Sequence, residues 1–134
     1  MKRLKELFVL MLIISPCLVF SQTKSVKKTD KEMIPLLCHK WHLTHMGTQG
    51  KEKQLPATVV TYLLIKSDGT LLETNQGQEL PGKWTLNHGT LSVTNIDNKD
   101  AVEKYKIISV TESELIYESN EDGTVTRMKF KREN

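Results

Sequence analysis

From Lys40 onward, apolar and polar residues alternate with period two, or apolar residues come in short runs bounded by Gly, Asn and Asp. This is the pattern of strands half-buried against a core. It predicts eight strands, at about 40–46, 58–66, 70–75, 82–87, 90–95, 102–109, 113–119 and 124–131. Asp68-Gly69, Asn87-His88-Gly89, Thr111-Glu112 and Asp122-Gly123 supply the links, since tight hairpin turns need backbone with φ > 0. The longest connection, Gly47 to Ala57, carries Gly47, Gly50 and Pro56 and no helical signal. Consecutive strands joined by short turns form an antiparallel meander. Eight of them close best as an up-and-down barrel, because closure removes exposed edges. The expected fold is therefore all-β: an antiparallel eight-stranded up-and-down barrel.

Alternation also assigns an inner face. It comprises Trp41 and Leu43, Leu63 and Ile65, Trp84 and Leu86, and Leu91 and Val93. The later strands add Tyr105 and Ile107, Leu115 and Tyr117, and Met128 and Phe130. A one-residue slip in any strand inverts its assignment. Lys40-Trp41-x-Leu43-x-His45 returns 43 positions later as Lys83-Trp84-x-Leu86-x-His88. Strands of similar patterning converge on such matches without duplication.

Ahead of the strands, Met33 to Leu37 suits a short helical turn, with Asp30 as N-cap and Pro35 early in it. Residues 22–32 are polar and lysine-rich and read as a flexible leader. Residues 1–21 read as a secretory signal peptide. Lys2, Arg3 and Lys5 precede an apolar stretch from Leu7 to Phe20, and cleavage is expected after Ser21. The apolar run is shorter than the ~20 residues a membrane span needs, so no span is expected in the processed chain. The alternative is a lipoprotein anchored through Cys17, although Pro16 occupies the place where Gly or Ala is wanted. The barrel domain would then be 33–134, exported to the periplasm or the exterior.

Charge changes its meaning once the signal is set aside. The formal +3 falls to +1, because residues 1–21 hold three basic residues and one acidic one. A concentrated basic stripe is what nucleic-acid binding requires. The C-terminal run Arg127, Lys129, Lys131, Arg132 reads instead as a solvated strand edge, and nucleic acid is not an expected partner. Cys38 is the one cysteine left, so no internal disulfide is available.

His39, His42 and His45 beside Cys38 are zinc-type ligands, but on a regular strand residues three apart face opposite sides. No metal and no cofactor are expected. Glu112, Glu114, Glu118, Glu121 and Asp122 cluster near turns and read as solvated charges. No serine carries a nucleophile-elbow pattern, Cys38 with His42 is weak evidence for a nucleophile pair, and no enzyme is expected. The aromatics are the remaining chemistry: aromatic walls with polar handles suit an amphipathic ligand.

The chain resembles the short, secreted lipocalin-like domains of Gram-negative bacteria, over roughly Leu37 to Arg132. The resemblance is carried by Lys40-Trp41-His42-Leu43, Lys66-Ser67-Asp68-Gly69-Thr70 and Gly82-Lys83-Trp84-Thr85-Leu86. It continues through Tyr105-Lys106-Ile107-Ile108-Ser109 with Glu114-Leu115, and Met128-Lys129-Phe130-Lys131. His39 stands where lipocalins open with Gly, and the intact Gly-x-Trp falls in the fourth strand. No C-terminal helix follows. Both departures argue against a deep cavity.

The resemblance implies Trp41 and Trp84 as fillers of the barrel floor or wall. It also implies a non-enzymatic binding protein holding a small apolar or amphipathic molecule at the open end. Tyr105 and Tyr117 are expected to line that end. Trp41 would join them if the barrel closes between its first and last strands. The alternative is an envelope protein-interaction or inhibitor module with a solid core.

Overall fold

The computed structural model describes residues 27–134. The expected signal peptide, its cleavage after Ser21, Cys17 and residues 22–26 of the leader lie outside the described residues. Among the described residues one helix, α1 (Asp30–Leu37), precedes nine strands. These are β1 (Lys40–Gly47), β2 (Lys53–Gln54), β3 (Thr61–Ile65), β4 (Thr70–Asn75), β5 (Gln78–Asn87), β6 (Thr90–Asn95), β7 (Val102–Val110), β8 (Glu114–Glu121) and β9 (Thr124–Arg132). Every pairing is antiparallel between neighbours in the order β1-β3-β4-β5-β6-β7-β8-β9, and β9 returns to β1. Eight strands thus close a barrel, as the alternation predicts.

The inner face is also as predicted. Trp41, Leu43, Leu63, Ile65, Trp84, Leu91, Ile107, Leu115, Tyr117 and Phe130 are buried, and Leu86, Val93, Tyr105 and Met128 pack against them. Leu71 and Val110 belong to the same core.

Several local expectations are corrected. The helix begins at Asp30, so the last residues of the expected leader are helical. Its N-cap is Thr29, whose hydroxyl accepts from the Glu32 N–H at 3.3 Å. Asp30 does something else: its carboxylate accepts from the His88 and Gly89 N–H groups at 2.7 and 2.8 Å, tying α1 to the β5–β6 turn. Pro35 lies inside the helix, not in its first turn.

The Gly47–Ala57 connection is not wholly irregular, since β2 pairs with His45 and Met46 of β1. β5 starts at Gln78, four residues before its predicted start, behind a Gln76-Gly77 turn with φ of 49° and 85°. Pro81, which has no N–H to give a ladder, sits opposite Leu72 in that early half.

Two β-bulges override strict alternation. In β1 the register shifts between Leu43 and His45, and in β7 between Ile107 and Ser109. A bulge adds one unpaired residue and re-aims everything after it. It lets Ile107 and Val110, three apart, both face inward.

The two ends of the barrel differ. At one end α1 acts as a plug. Met33 and Leu37 are buried, and Trp41 beneath them donates its indole N–H to the Leu37 carbonyl at 2.9 Å. Trp84 makes the matching contact from the repeat, donating to the Lys66 carbonyl at 2.8 Å. The other end is framed by the β4–β5, β6–β7 and β8–β9 turns and is not covered by the helix.

Candidate functional site

The uncovered end holds a cavity of about 140 Å³. Its floor is apolar, made by Leu43, Leu63 and Phe130. One wall is aromatic. Tyr105 stacks on Tyr117 with ring centroids 4.4 Å apart, and Tyr117 leans on Phe130 at 4.9 Å. Met46 and Met128, opposite each other on β1 and β9, flank the opening. Met46 reaches this face only because the β1 bulge re-aims it.

The polar members are Thr61, Asn75 and Glu73. Thr61 donates its hydroxyl to the Asn75 side-chain oxygen at 3.2 Å. A second recess of about 120 Å³, lined by Leu71, Leu80, Gly82, Val93, Asn95 and Glu103, shares Glu73 with the first.

The electrostatics of the mouth are one-sided. Glu73 pairs with Leu63, and Glu103 with Val93, so both carboxylates sit on the inner face. Burial, and then Glu103, push the Glu73 carboxyl above the usual glutamate range. The Tyr105 hydroxyl donates to the Glu103 carboxylate. Burial pushes both tyrosine hydroxyls up, with Glu103 adding to the effect at Tyr105 and the neighbouring Tyr105 adding to it at Tyr117.

A carboxyl with a raised folded pKa binds protons more readily in the folded state. Its contribution is therefore favourable at low pH and is lost as pH rises through the raised value. Glu73→Gln is accordingly expected to raise the melting temperature at neutral pH. Below the ordinary glutamate range of about 4.3 it should leave that temperature unchanged, which thermal scans at the two pH values check.

Of the three aromatics expected to line the mouth, the structure brings Tyr105 and Tyr117 together there and places Trp41 elsewhere. Trp41 pairs with Arg132 of β9, whereas Met128, four residues away, lies opposite Tyr117. At 3.3–3.4 Å per residue that is about 13 Å along the barrel. Glu73 and Glu103 were legible by parity, each two positions from an inward residue, Leu71 and Tyr105 respectively.

The other candidates are placed apart from the mouth. The β1 bulge puts His42 and His45 on one outer face, opposite Lys131 and Lys129, against the expectation from spacing alone. His42 lies on Tyr62 at 4.9 Å, His45 hydrogen-bonds Thr44 at 2.8 Å, and His39 packs edge-on against Trp41. Among the described residues, no three His, Cys, Asp or Glu side chains assemble as metal ligands. Cys38 caps the C-terminus of α1, and burial raises its thiol pKa, the opposite of what activates a nucleophile. Glu118 is not simply solvated. It bonds Arg127 at 3.1 Å, which also lies 3.7 Å from Glu52. Among the described residues no helix is long and apolar enough to cross a membrane.

The sequence pattern of the lipocalin-like domain family matches residues 37–117. The chain belongs to that family. The lipocalin-like domain is similar in fold to a lipocalin-like protein from Bacteroides uniformis ATCC 8492. That match has 14% identity and a TM-score of 0.57, and covers 73% of this chain and 99% of the other. An uncharacterized protein from Bacteroides eggerthii DSM 20697 gives 13% identity and a TM-score of 0.57 over 72% of this chain and 99% of its own. A protein from Burkholderia xenovorans gives 13% and 0.50 over 85% and 97%. At these identities the likeness is one of fold. No curated protein matches the chain. Membership of the lipocalin-like family rests on the family pattern over residues 37–117 and agrees with the closed barrel.

Proposed function

We propose that this lipocalin-like domain is an exported, non-enzymatic binding protein that holds a small amphipathic molecule at the open end of its barrel. The observation that carries the reading is the cavity beside the Tyr105–Tyr117 stack, apolar below and polar at the rim. Its volume of about 140 Å³ is close to the ~150 Å³ that accommodates one benzene ring. A ligand seated there presents about one ring or a short branched chain. Burying ~150 Å² of apolar surface at ~25 cal/mol per Å² gives about 4 kcal/mol before any ordering cost. That alone corresponds to millimolar binding at best, so a useful affinity needs a polar contact as well. The interaction-module alternative calls for a solid interior, and the recess weighs against it.

The test is a titration with phenethyl alcohol, a neutral one-ring probe, followed by amide chemical shifts. Shifts confined to the strands around Tyr105, Tyr117 and Met128 are expected. Tyr105→Ala should weaken binding about tenfold, the effect of losing one stacked aromatic contact and its buried area. Tyr105 is only half-buried, so the fold should survive. If no one-ring probe, neutral or charged, perturbs the mouth, the carrier reading fails and the interaction-module reading replaces it.

A further inference from the structure

We infer that the ligand is a cation: a small primary or secondary amine whose ammonium sits among Glu73, Glu103 and the two tyrosines while its apolar part enters the cavity. This rests on the binding reading above and names the chemistry of its ligand. Three carboxylates have inward parity around the mouth, Glu73 half-buried in the cavity wall and Glu103 and Glu121 exposed at the rim. Glu73 and Glu103 have it as described, and Glu121 of β8 shares the inward parity of Tyr117 and bears electrostatically on the Tyr105 hydroxyl. The lysines and arginines that β7 and the mouth half of β9 carry, Lys104, Lys106, Arg127 and Lys129, have outward parity. Among the described residues, Lys53 of β2 is a basic residue on the mouth's own face, exposed at the rim opposite Met46.

A second observation is independent of the acids. Tyr117 is only 6% exposed and lines the cavity, and its hydroxyl hydrogen-bonds none of the described residues. Tyr105, by contrast, spends its proton on Glu103. A ligand seated in the cavity can replace solvent at the Tyr117 hydroxyl. The Tyr117 oxygen has lone pairs free to accept from an ammonium N–H. An anion would meet the half-buried Glu73 carboxylate with Glu103 and Glu121 at the rim, and a neutral ligand would leave Glu73 without a counter-charge. Glu73 is held at a cost to the folded chain that an incoming positive charge relieves, and such costs concentrate at functional sites.

The experiment compares three probes of one shape on the same protein: phenethylamine, phenethyl alcohol and 3-phenylpropanoate. Amide shifts and calorimetry at low salt give site and affinity. The amine is expected to bind about tenfold or more tighter than the alcohol, the usual worth of a charge-assisted hydrogen bond in a partly buried site, and the propanoate weakest. Glu73→Gln and Glu103→Gln together should abolish the amine's advantage over the alcohol. Tyr117→Phe should weaken the amine more than the alcohol. If the alcohol binds as tightly as the amine, or if the double Gln variant keeps the preference, the cation assignment is overturned while the carrier reading stands. If none of the three reaches the mouth, both are overturned.

Discussion

Replacing Trp41 by alanine is expected to cost the domain about 3–5 kcal/mol, the range for emptying a filled aromatic site. Trp41 is fully buried beneath α1 and holds the helix by its indole hydrogen bond to the Leu37 carbonyl. The substitution therefore opens a cavity in the barrel floor and releases the plug above it. Leu37 and Met33, which α1 contributes to the core, lose their seat as well. Against a total stability of about 5–15 kcal/mol for a domain of this kind, such a loss leaves it marginal.

The urea midpoint of Trp41→Ala should fall steeply. Lys83→Ala, exposed and on the outward face of β5, should stay within about 0.5 kcal/mol of the parent. Trp84→Ala should also be costly, since Trp84 is 9% exposed and holds the β3–β4 turn through Lys66. A cost below about 1 kcal/mol at Trp41 would mean that α1 does not close the barrel.

The contrast between Trp41 and Tyr117 shows what the sequence held and what it did not. Parity says which side of a sheet a residue faces, and here it identified inner residues on seven of the eight barrel strands. Parity does not say how far along the barrel axis a residue lies. That depends on cross-strand register, fixed only when the strands pair, so Trp41 was expected beside two tyrosines that lie about 13 Å away.

Bulges are a second limit. Nothing in Leu43-Thr44-His45 announces that Thr44 will be the extra residue. The structure holds it through its own hydroxyl, donated to the Lys129 carbonyl at 3.1 Å, and its carbonyl, which accepts from Leu55 at 2.8 Å. Both partners are remote in sequence. The N-cap was different. Thr29-Asp30-Lys31-Glu32 has the Thr-x-x-Glu form of a capping box, a local signal that outranks the aspartate next to it. The acidic mouth was readable once β4 was assigned a face, because Leu71 and Glu73 are two apart.

Gly82→Ala is the second substitution expected to be severe, at about 1–3 kcal/mol, the usual cost of forcing atoms into a packed interior. Gly82 does not need glycine for its backbone conformation, since it is absent from the positive-φ positions. The reason is steric. A Cβ at Gly82 would lie 2.8 Å from the Thr94 carbonyl oxygen, and the next atoms, the Thr94 carbonyl carbon and Leu71 Cγ, stand at 3.6 and 3.8 Å. The nearest atom belongs to backbone in the β5–β6 ladder, which cannot swing aside as a flexible side chain would. Relief requires β5 and β6 to part where Gly82 pairs with Asn95.

The same displacement would deform the recess that Gly82 lines together with Glu73 and Glu103. The variant should therefore lose stability and also weaken binding at the mouth. Gly77→Ala supplies the control. It meets open space but forces a side chain onto φ of 85°, a strain of about 1–2 kcal/mol at a turn outside both recesses. A Gly82→Ala variant as stable as the parent would mean that β5 and β6 are further apart than the ladder places them. Equal losses in both variants, with amine and alcohol binding intact, would show that the recess beside Glu73 takes no part in the site.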